Sequence, residues 1–393
     1  MLSIQKNLIK NKKVYLFGSG ILAKKTITKF SEIKFQGIID NSNNLKGQKY
    51  MNLPILSAKN INKKNFYIIT STSFSDITRQ LNSKGLEKGK NFILTPFLND
   101  IETLSDLEEL EQKILFTSGS PSQQNSLYGG GLYLLNLKKD SWKYKKILSG
   151  NCYGSYKYKN KIFVIDENRG VIQFNKNLKI DKIFKIEKGI RPHGISFCEK
   201  TKNFFICCTE MDSIFVYDMN FKKLDIIPIS SKKEKTGIKH HHINDCAVVD
   251  GSLFVSMFSI SGNYNKEFYD GTILEINTSD FTKKNVLTNK LWMPHNISFF
   301  DNSLHVLNSF RGELLAYNMS VIGKFPAFAR GLDFKDGYYY VGQSRNRNFS
   351  KLLGDSLNTS IDSGIVVFEP KNKLSRFLQL HPKLSEIHSI VLI

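Results

Sequence analysis

The sequence predicts a multidomain chain: an N-terminal α/β domain over residues 1–97, a helical linker at 98–113, and an all-β ring of six four-stranded sheets over 114–393. Three observations predict it. A Gly-x-Gly turn follows the first apolar strand. Helical periodicity stops near residue 113. From there one short phrase, a polar residue leading into an apolar strand, recurs around the rest of the chain.

The length and composition allow such an arrangement. The 393 residues suit two domains, and 41% hydrophobic with 12% aromatic residues supplies packed cores. Net charge is +21, from 56 Lys and Arg against 35 Asp and Glu. The lysines are scattered rather than gathered in a stripe, so nucleic acid is not the expected partner, and the basicity serves to draw in an anionic small molecule. No apolar run reaches about 18 residues, so no membrane span is expected. Met1 to Lys13 is basic but lacks the apolar core of a secretion signal. The five cysteines are odd in number and show no Cys-x-x-Cys spacing, which points to reduced thiols and a cytoplasmic location.

In the first domain, the strand Val14 to Phe17 runs into Gly18-Ser19-Gly20-Ile21-Leu22-Ala23, a helix reaches about Ser31, and a second strand, Phe35 to Ile39, ends at Asp40-Asn41. Gly18 permits the tight turn, Gly20 lets backbone approach a phosphate, Ala23 allows close helix packing, and the helix N-terminus attracts anions. Asp40 stands 20 residues past Gly20, the layout of a dinucleotide fold. Further strands are expected at Phe66 to Thr70 and Asn91 to Thr95, with a helix from Asp76 to Lys84. The pattern of Gly18, Gly20, Gly37, Asp40, Asn41, Gly47 and Leu53-Pro54-Ile55-Leu56 resembles the small Rossmann-like domain of PglD-type sugar acetyltransferases and some sugar methyltransferases. The resemblance implies that Gly18, Ser19, Gly20 and Asp40 hold a nucleotide or nucleotide-sugar. A domain that only docks or dimerises is the other reading.

The linker places Ile or Leu at 101, 104, 107 and 110 among acidic residues, which predicts a short amphipathic helix. Its apolar edge packs on a flanking domain or meets another subunit, so a homo-oligomer stays open.

The third region aligns on one hairpin. His295 to Val306, Asn244 to Val255, Arg330 to Val341 and Tyr153 to Val164 superimpose without a gap, and His193 to Phe197 opens a fifth copy. Ile387-His388-Ser389-Ile390-Val391-Leu392 supplies only an inner strand, and Lys113 to Leu148 only three outer ones. Joining the two ends closes a six-bladed β-propeller through its C-terminal strand.

Around that ring the first inner-strand position reads His388, Tyr153, His193, Asn244, His295, Arg330. Histidines occupy alternate blades, about 120° apart, so His193, His295 and His388 are expected to converge on a divalent metal ion, zinc first. The three-histidine pattern resembles the peptidyl-hydroxyglycine amidating lyases, in which Tyr and Arg stand beside an axial zinc. The region as a whole resembles an uncharacterised bacterial propeller family. It resembles the gluconolactonase group more distantly, and lacks that group's acidic ligands.

The expected chemistry follows from the kit. Tyr153 or His242 carries a proton, Asn244 orients a hydroxyl, and Arg330 grips a carboxylate or phosphate by its fork. That predicts a metal-dependent lyase, hydrolase or isomerase acting on a small anionic substrate, one linked to sugar nucleotides among the options. The alternative is a non-catalytic binding or scaffold propeller.

Overall fold

The computed structural model describes residues 4–119, 128–347 and 358–393. The chain divides into two compact units, Met1–Asp106 and Leu107–Ile393.

The first unit is a six-stranded sheet: β1 (Val14–Phe17), β2 (Phe35–Asp40), β3 (Lys49–Tyr50), β4 (Leu53–Ser57), β5 (Phe66–Ile69) and β6 (Phe92–Leu94), in the order β3-β4-β2-β1-β5-β6. Neighbours from β4 to β6 run parallel, whereas β3 pairs antiparallel with β4. The α/β Rossmann-like class expected for this region is therefore corrected. The sheet is mixed, its helices are few, and the chain as a whole is mostly β. The cause lies between Asn41 and Ser57. A 3-10 turn (Asn43–Leu45) and a tight hairpin with left-handed Met51 and Asn52 stand where a doubly wound fold would carry a crossover helix. Helices Ile21–Lys29 and Phe74–Ser83 accompany β1 and β5, and bury Ala23, Ile77 and Leu81 against the sheet.

The second unit is a six-bladed propeller, each blade a four-stranded antiparallel sheet. Blade 1 pairs the C-terminal strand Ser389–Leu392 with Glu111–Ser118, Gly131–Lys138 and Ser141–Ser149. Its closing strand is short, with four residues paired from Ser389 to Leu392. The inner strands of blades 2 to 6 are Cys152–Tyr158, Pro192–Cys198, Ile243–Val249, Pro294–Phe300 and Phe328–Lys335. Each inner strand neighbours the next, and the last meets the first.

Local chemistry explains the hairpins. Asp250-Gly251, Asp301-Asn302 and Asp336-Gly337 all take φ between 47° and 85°, the paired left-handed conformation of a two-residue turn matching strand twist. The β-branched and aromatic residues between the turns fill the spaces between blades. Phe204 is fully buried, with the rings of Phe163, Phe197 and Phe221 at 4.8, 4.7 and 4.6 Å. Burial of one such ring contributes roughly 1.5–3 kcal/mol, which is why aromatic residues can hold the sheets together without helices.

The linker helix Asn99–Glu108 buries Leu107 in the core of blades 1 and 6, while Ile101 and Leu104 stay about half exposed at 45% and 48%. All five cysteines are buried free thiols.

Candidate functional site

In five blades the inner-strand register slips at the start of the repeated phrase: between Cys152 and Ser155, Pro192 and Ile195, Ile243 and Cys246, His295 and Ser298, and Ala329 and Leu332. A bulge adds a residue to one strand and re-aims its side chains. Here it directs polar residues at the ring axis instead of into the space between blades.

The result is a stack of side chains along the channel. One tier holds Tyr153, His193, Asn244, His295, Arg330 and His388, all buried or nearly so. Two residues earlier in every blade lies a second tier, Asn151, Arg191, His242, Met293, Phe328 and Glu386, which lines a mouth of about 390 Å³ together with most of the first. One residue later, Gly154, Gly194, Asp245, Asn296, Gly331 and Ser389 narrow the channel. There the Asn296 amide nitrogen donates to Asp245 Oδ2 at 3.0 Å, and Asn296 Oδ1 accepts from Gly331 N at 2.6 Å. A Cβ on Gly194 would meet Asp245 Oδ1 at 2.3 Å, so the small residues make room for this septum.

Arg191, His242 and Met293 share φ of 50° to 54°, a left-handed backbone that costs such residues of order 1–3 kcal/mol. Asp212 holds this turn in blade 4: its carboxylate accepts from the backbone N–H groups of His240, His241 and His242.

The imidazoles differ in spacing and in bonding. The His193 and His388 rings lie 6.0 Å apart, and Tyr153 stacks on His193 at 4.4 Å and meets His388 edge-on at 4.8 Å. His295 Nδ1 contacts Met293 O and Ser309 Oγ, each at 2.9 Å. Its Nε2 is buried without a partner, as is Nε2 of His193; His242 Nδ1, Asn244 Nδ2 and Arg330 Nε are likewise unpartnered. His388 Nε2 instead faces Glu386 Oε2 at 3.1 Å. The other four histidines have partners: His240 and His241 bond Thr236 and Ser230, His305 bonds the Tyr339 hydroxyl, and His381 accepts from Lys383 N.

Burial drives the electrostatics. It holds His193, His242 and His295 well below the ordinary imidazole pKa, and the nearby guanidiniums push the same way. These rings are neutral at pH 7, with a lone pair free to accept a hydrogen bond or bind a cation. His388 is also lowered by burial, although its bond to Glu386 opposes that. For Glu386, burial alone would raise the pKa; the His388 bond and the Arg330 and Arg347 charges outweigh it and hold the carboxylate ionised. Arg347 contacts Glu386 Oε1 at 2.6 Å and Arg330 stands 3.8 Å from Oε2. Tyr153, buried and bonded to Glu167, is pushed up to about 12 and stays a phenol.

The channel's opposite mouth is larger, about 670 Å³, but its ionic groups are mostly satisfied. Lys157 bonds Leu392 O, Lys335 bonds Gln112, and Asp333 accepts from Phe334 N and Leu392 N. The unsatisfied atoms lie on the side of the histidine mouth instead.

The structure thus places Tyr153, His193, His242, Asn244, His295, Arg330 and His388 on one channel. Arg191, Arg347 and Glu386 also belong to it. Arg191 and Glu386 occupy the same offset from the repeat as His242, a signal present in the sequence; Arg347 follows a blade-6 strand and has none. Among the described residues, no group of three or more His, Cys, Asp or Glu side chains is gathered tightly enough to hold a metal ion as it stands. In the first unit Gly18, Ser19, Gly20 and Asp40 do meet. Asp40 accepts from Ser19 N at 3.0 Å, Ser19 Oγ at 2.7 Å and Ser42 N at 2.9 Å.

Residues 229–393 match the family described as "Domain of unknown function (DUF4915)". No curated protein matches by sequence. Among solved structures, a chain of a nidogen/laminin complex is 12% identical with a TM-score of 0.50, over 72% of this chain and 98% of that one. A protein of unknown function from Bacteroides caccae is 14% identical with a TM-score of 0.46, over 72% and 99%. A streptogramin B lyase is 11% identical with a TM-score of 0.42, over 71% and 91%. At 12% identity the likeness to the first of these extends to the fold alone. No helix among the described residues is long and apolar enough to cross a membrane.

Proposed function

We propose that the histidine mouth is the active site of an enzyme acting on a small anionic substrate, with a divalent metal ion held by His193, His295 and His388. The observation that carries this reading is the pair of buried, unpartnered Nε2 atoms on His193 and His295. A buried polar atom without a partner costs roughly 1–3 kcal/mol, and a ligand removes that cost.

The donor chemistry fits the ion. Neutral imidazoles are the common ligands of zinc and similar metals. His193 and His388, whose rings stand 6.0 Å apart, would hold such an ion together with His295. His388 joins the set when its Nε2 releases Glu386. Such an ion supplies Lewis-acid polarisation of an oxygen and a lowered pKa for bound water.

The protein's own groups carry the rest. Arg330 and Arg347 hold the substrate's oxyanion by charge-assisted bonds. His242 Nδ1, neutral and unpartnered, takes a proton from the substrate or a water. The Tyr153 hydroxyl keeps its proton and donates a hydrogen bond to a substrate oxygen when it leaves Glu167. Asn244 Nδ2 is positioned to orient a hydroxyl. The kit suits a lyase, hydrolase or isomerase.

A second reading is a binding propeller without catalysis. Glu386 favours it, because that carboxylate already serves Arg330, Arg347 and His388.

Elemental analysis separates the two. Protein purified without chelators is expected to hold one equivalent of a divalent metal, and the His295→Ala variant to hold almost none while keeping its circular dichroism. Wild-type protein that carries no metal and takes up no added Zn²⁺ would favour the second reading.

A further inference from the structure

The histidine mouth is divided by chemistry. On the side of blades 4 to 6 its wall is aromatic and apolar: Phe258, Tyr264, Met293 and Phe328, the three other than Tyr264 being at most 6% exposed. His242 stacks on Phe258 at 4.3 Å and packs against Tyr264 at 4.4 Å, while His295 lies 5.2 Å from Phe258 and 5.3 Å from Phe328. On the remaining side the groups are ionic: Arg191, Arg345, Arg347 and Glu386, with Arg330 at the seam, its guanidinium 4.7 Å above the Phe328 ring.

A mouth built to bind only an inorganic oxyanion gains nothing from burying a thioether and three aromatic rings beside its arginines. An apolar ligand, conversely, gains nothing from four guanidiniums and would leave Arg330 Nε without a partner. Glu386 shows what the ionic side accepts. Its carboxylate spans the Arg330 and Arg347 guanidiniums, the arrangement an incoming carboxylate or phosphate would take over.

We infer that the ligand of this mouth joins an oxyanion head to a flat apolar body. The head displaces Glu386 on Arg330 and Arg347, and the body lies against Phe258, Tyr264 and Met293. The inference rests on the reading of this mouth as an anion site and deepens it by assigning the other half of the molecule. The opening, about 390 Å³, accommodates a single ring with its head group and falls within the usual range for small-ligand sites.

Calorimetric titration of the full chain tests it with inorganic phosphate, phenyl phosphate and benzyl alcohol. Phenyl phosphate is expected to bind roughly tenfold to a hundredfold tighter than phosphate, the range that burying one phenyl ring gives. Benzyl alcohol, with no charged head, is expected not to bind measurably. Phe258→Ala should remove the preference for the ring and leave phosphate binding intact. Tyr264→Ala, at a half-buried loop position, should reduce the preference in the same way and serves if Phe258→Ala fails to fold. Arg330→Gln should weaken both anions. Equal affinity for phosphate and phenyl phosphate in the wild type overturns the apolar subsite and leaves the anion site standing. Binding of neither anion overturns the anion site itself.

Discussion

Two regions of this chain invite an anion, and they differ in what their polar groups already do. In the glycine turn of the first unit, Asp40 accepts three hydrogen bonds from Ser19 and Ser42. Gly18 takes φ of +105° to make the turn, and the loop is finished by its own atoms. Along the propeller channel, buried polar atoms of Asn151, His193, His242, Asn244, His295 and Arg330 have no partner. The first region spends its polar residues on holding its shape. The second leaves them unspent, at a cost in stability that the rest of the ring carries. A motif marks a place where a ligand fits, and unsatisfied buried atoms mark a place where a ligand would gain hydrogen bonds.

The contrast can be broken most forcefully with pH. His193, His242 and His295 have native pKa values well below the 6.5 of the unfolded chain. Below about pH 6.5 the unfolded chain therefore takes up protons that the native ring refuses. Stability from these groups is present above that pH and is lost as pH falls. Between pH 7.5 and 5.5 metal-stripped protein should therefore lose stability, on the order of a few kcal/mol, as read by urea unfolding. A flat profile over that window would mean that the imidazoles are not held neutral by burial.

Glu386→Gln comes next. It removes the one carboxylate shared by Arg330, Arg347 and His388. Leaving Arg330 buried without its counter-charge should cost about 3 kcal/mol, and millimolar phosphate should restore part of the loss. A thermal melt unchanged by the substitution would show the cluster to be loosely held.

In the first unit the expected effects on stability are smaller. Gly18→Ala forces a Cβ into left-handed backbone 3.0 Å from Ser71 Cβ, and should cost about 2 kcal/mol. Gly20→Ala meets nothing within 4 Å and should cost less than about 1 kcal/mol. The difference is measurable by chemical denaturation, and equal costs would show the turn to be more pliable than its geometry implies. Asp40→Asn should cost about 1 kcal/mol through weakened bonds to Ser19 and Ser42.

The propeller was legible in the sequence because its repeat is carried by chemistry that acts locally. Asp-Gly and Asp-Asn turns fix hairpins, and alternating apolar residues fix the faces, so three copies align on Asp250, Asp301 and Asp336, with Lys159-Asn160 at the same place in a fourth. The first unit was less legible. Its glycine turn and Asp40 are common to several α/β arrangements, and the mixed sheet is decided by the short stretch from Asn41 to Ser57, where β3 has only two residues. In the site, a strand-start position was readable but the bulge beside it was not, since it arises from pairing between neighbouring strands. The tier containing Arg191 and Glu386 lay two residues upstream in the same alignment. Arg347 reaches the mouth from a loop after a blade-6 strand, where no repeat position announces it. That His388 Nε2 faces Glu386 Oε2 is a matter of side-chain geometry no spacing could express.

The most direct test of the axial site is an anomalous-scattering map from crystals grown with Zn²⁺. The account predicts one strong peak on the propeller axis, within coordination distance of Nε2 of His193 and His295, with His388 turned from Glu386 toward it. A map with no axial peak, or with its metal at His240 and His241 on the rim instead, would contradict it.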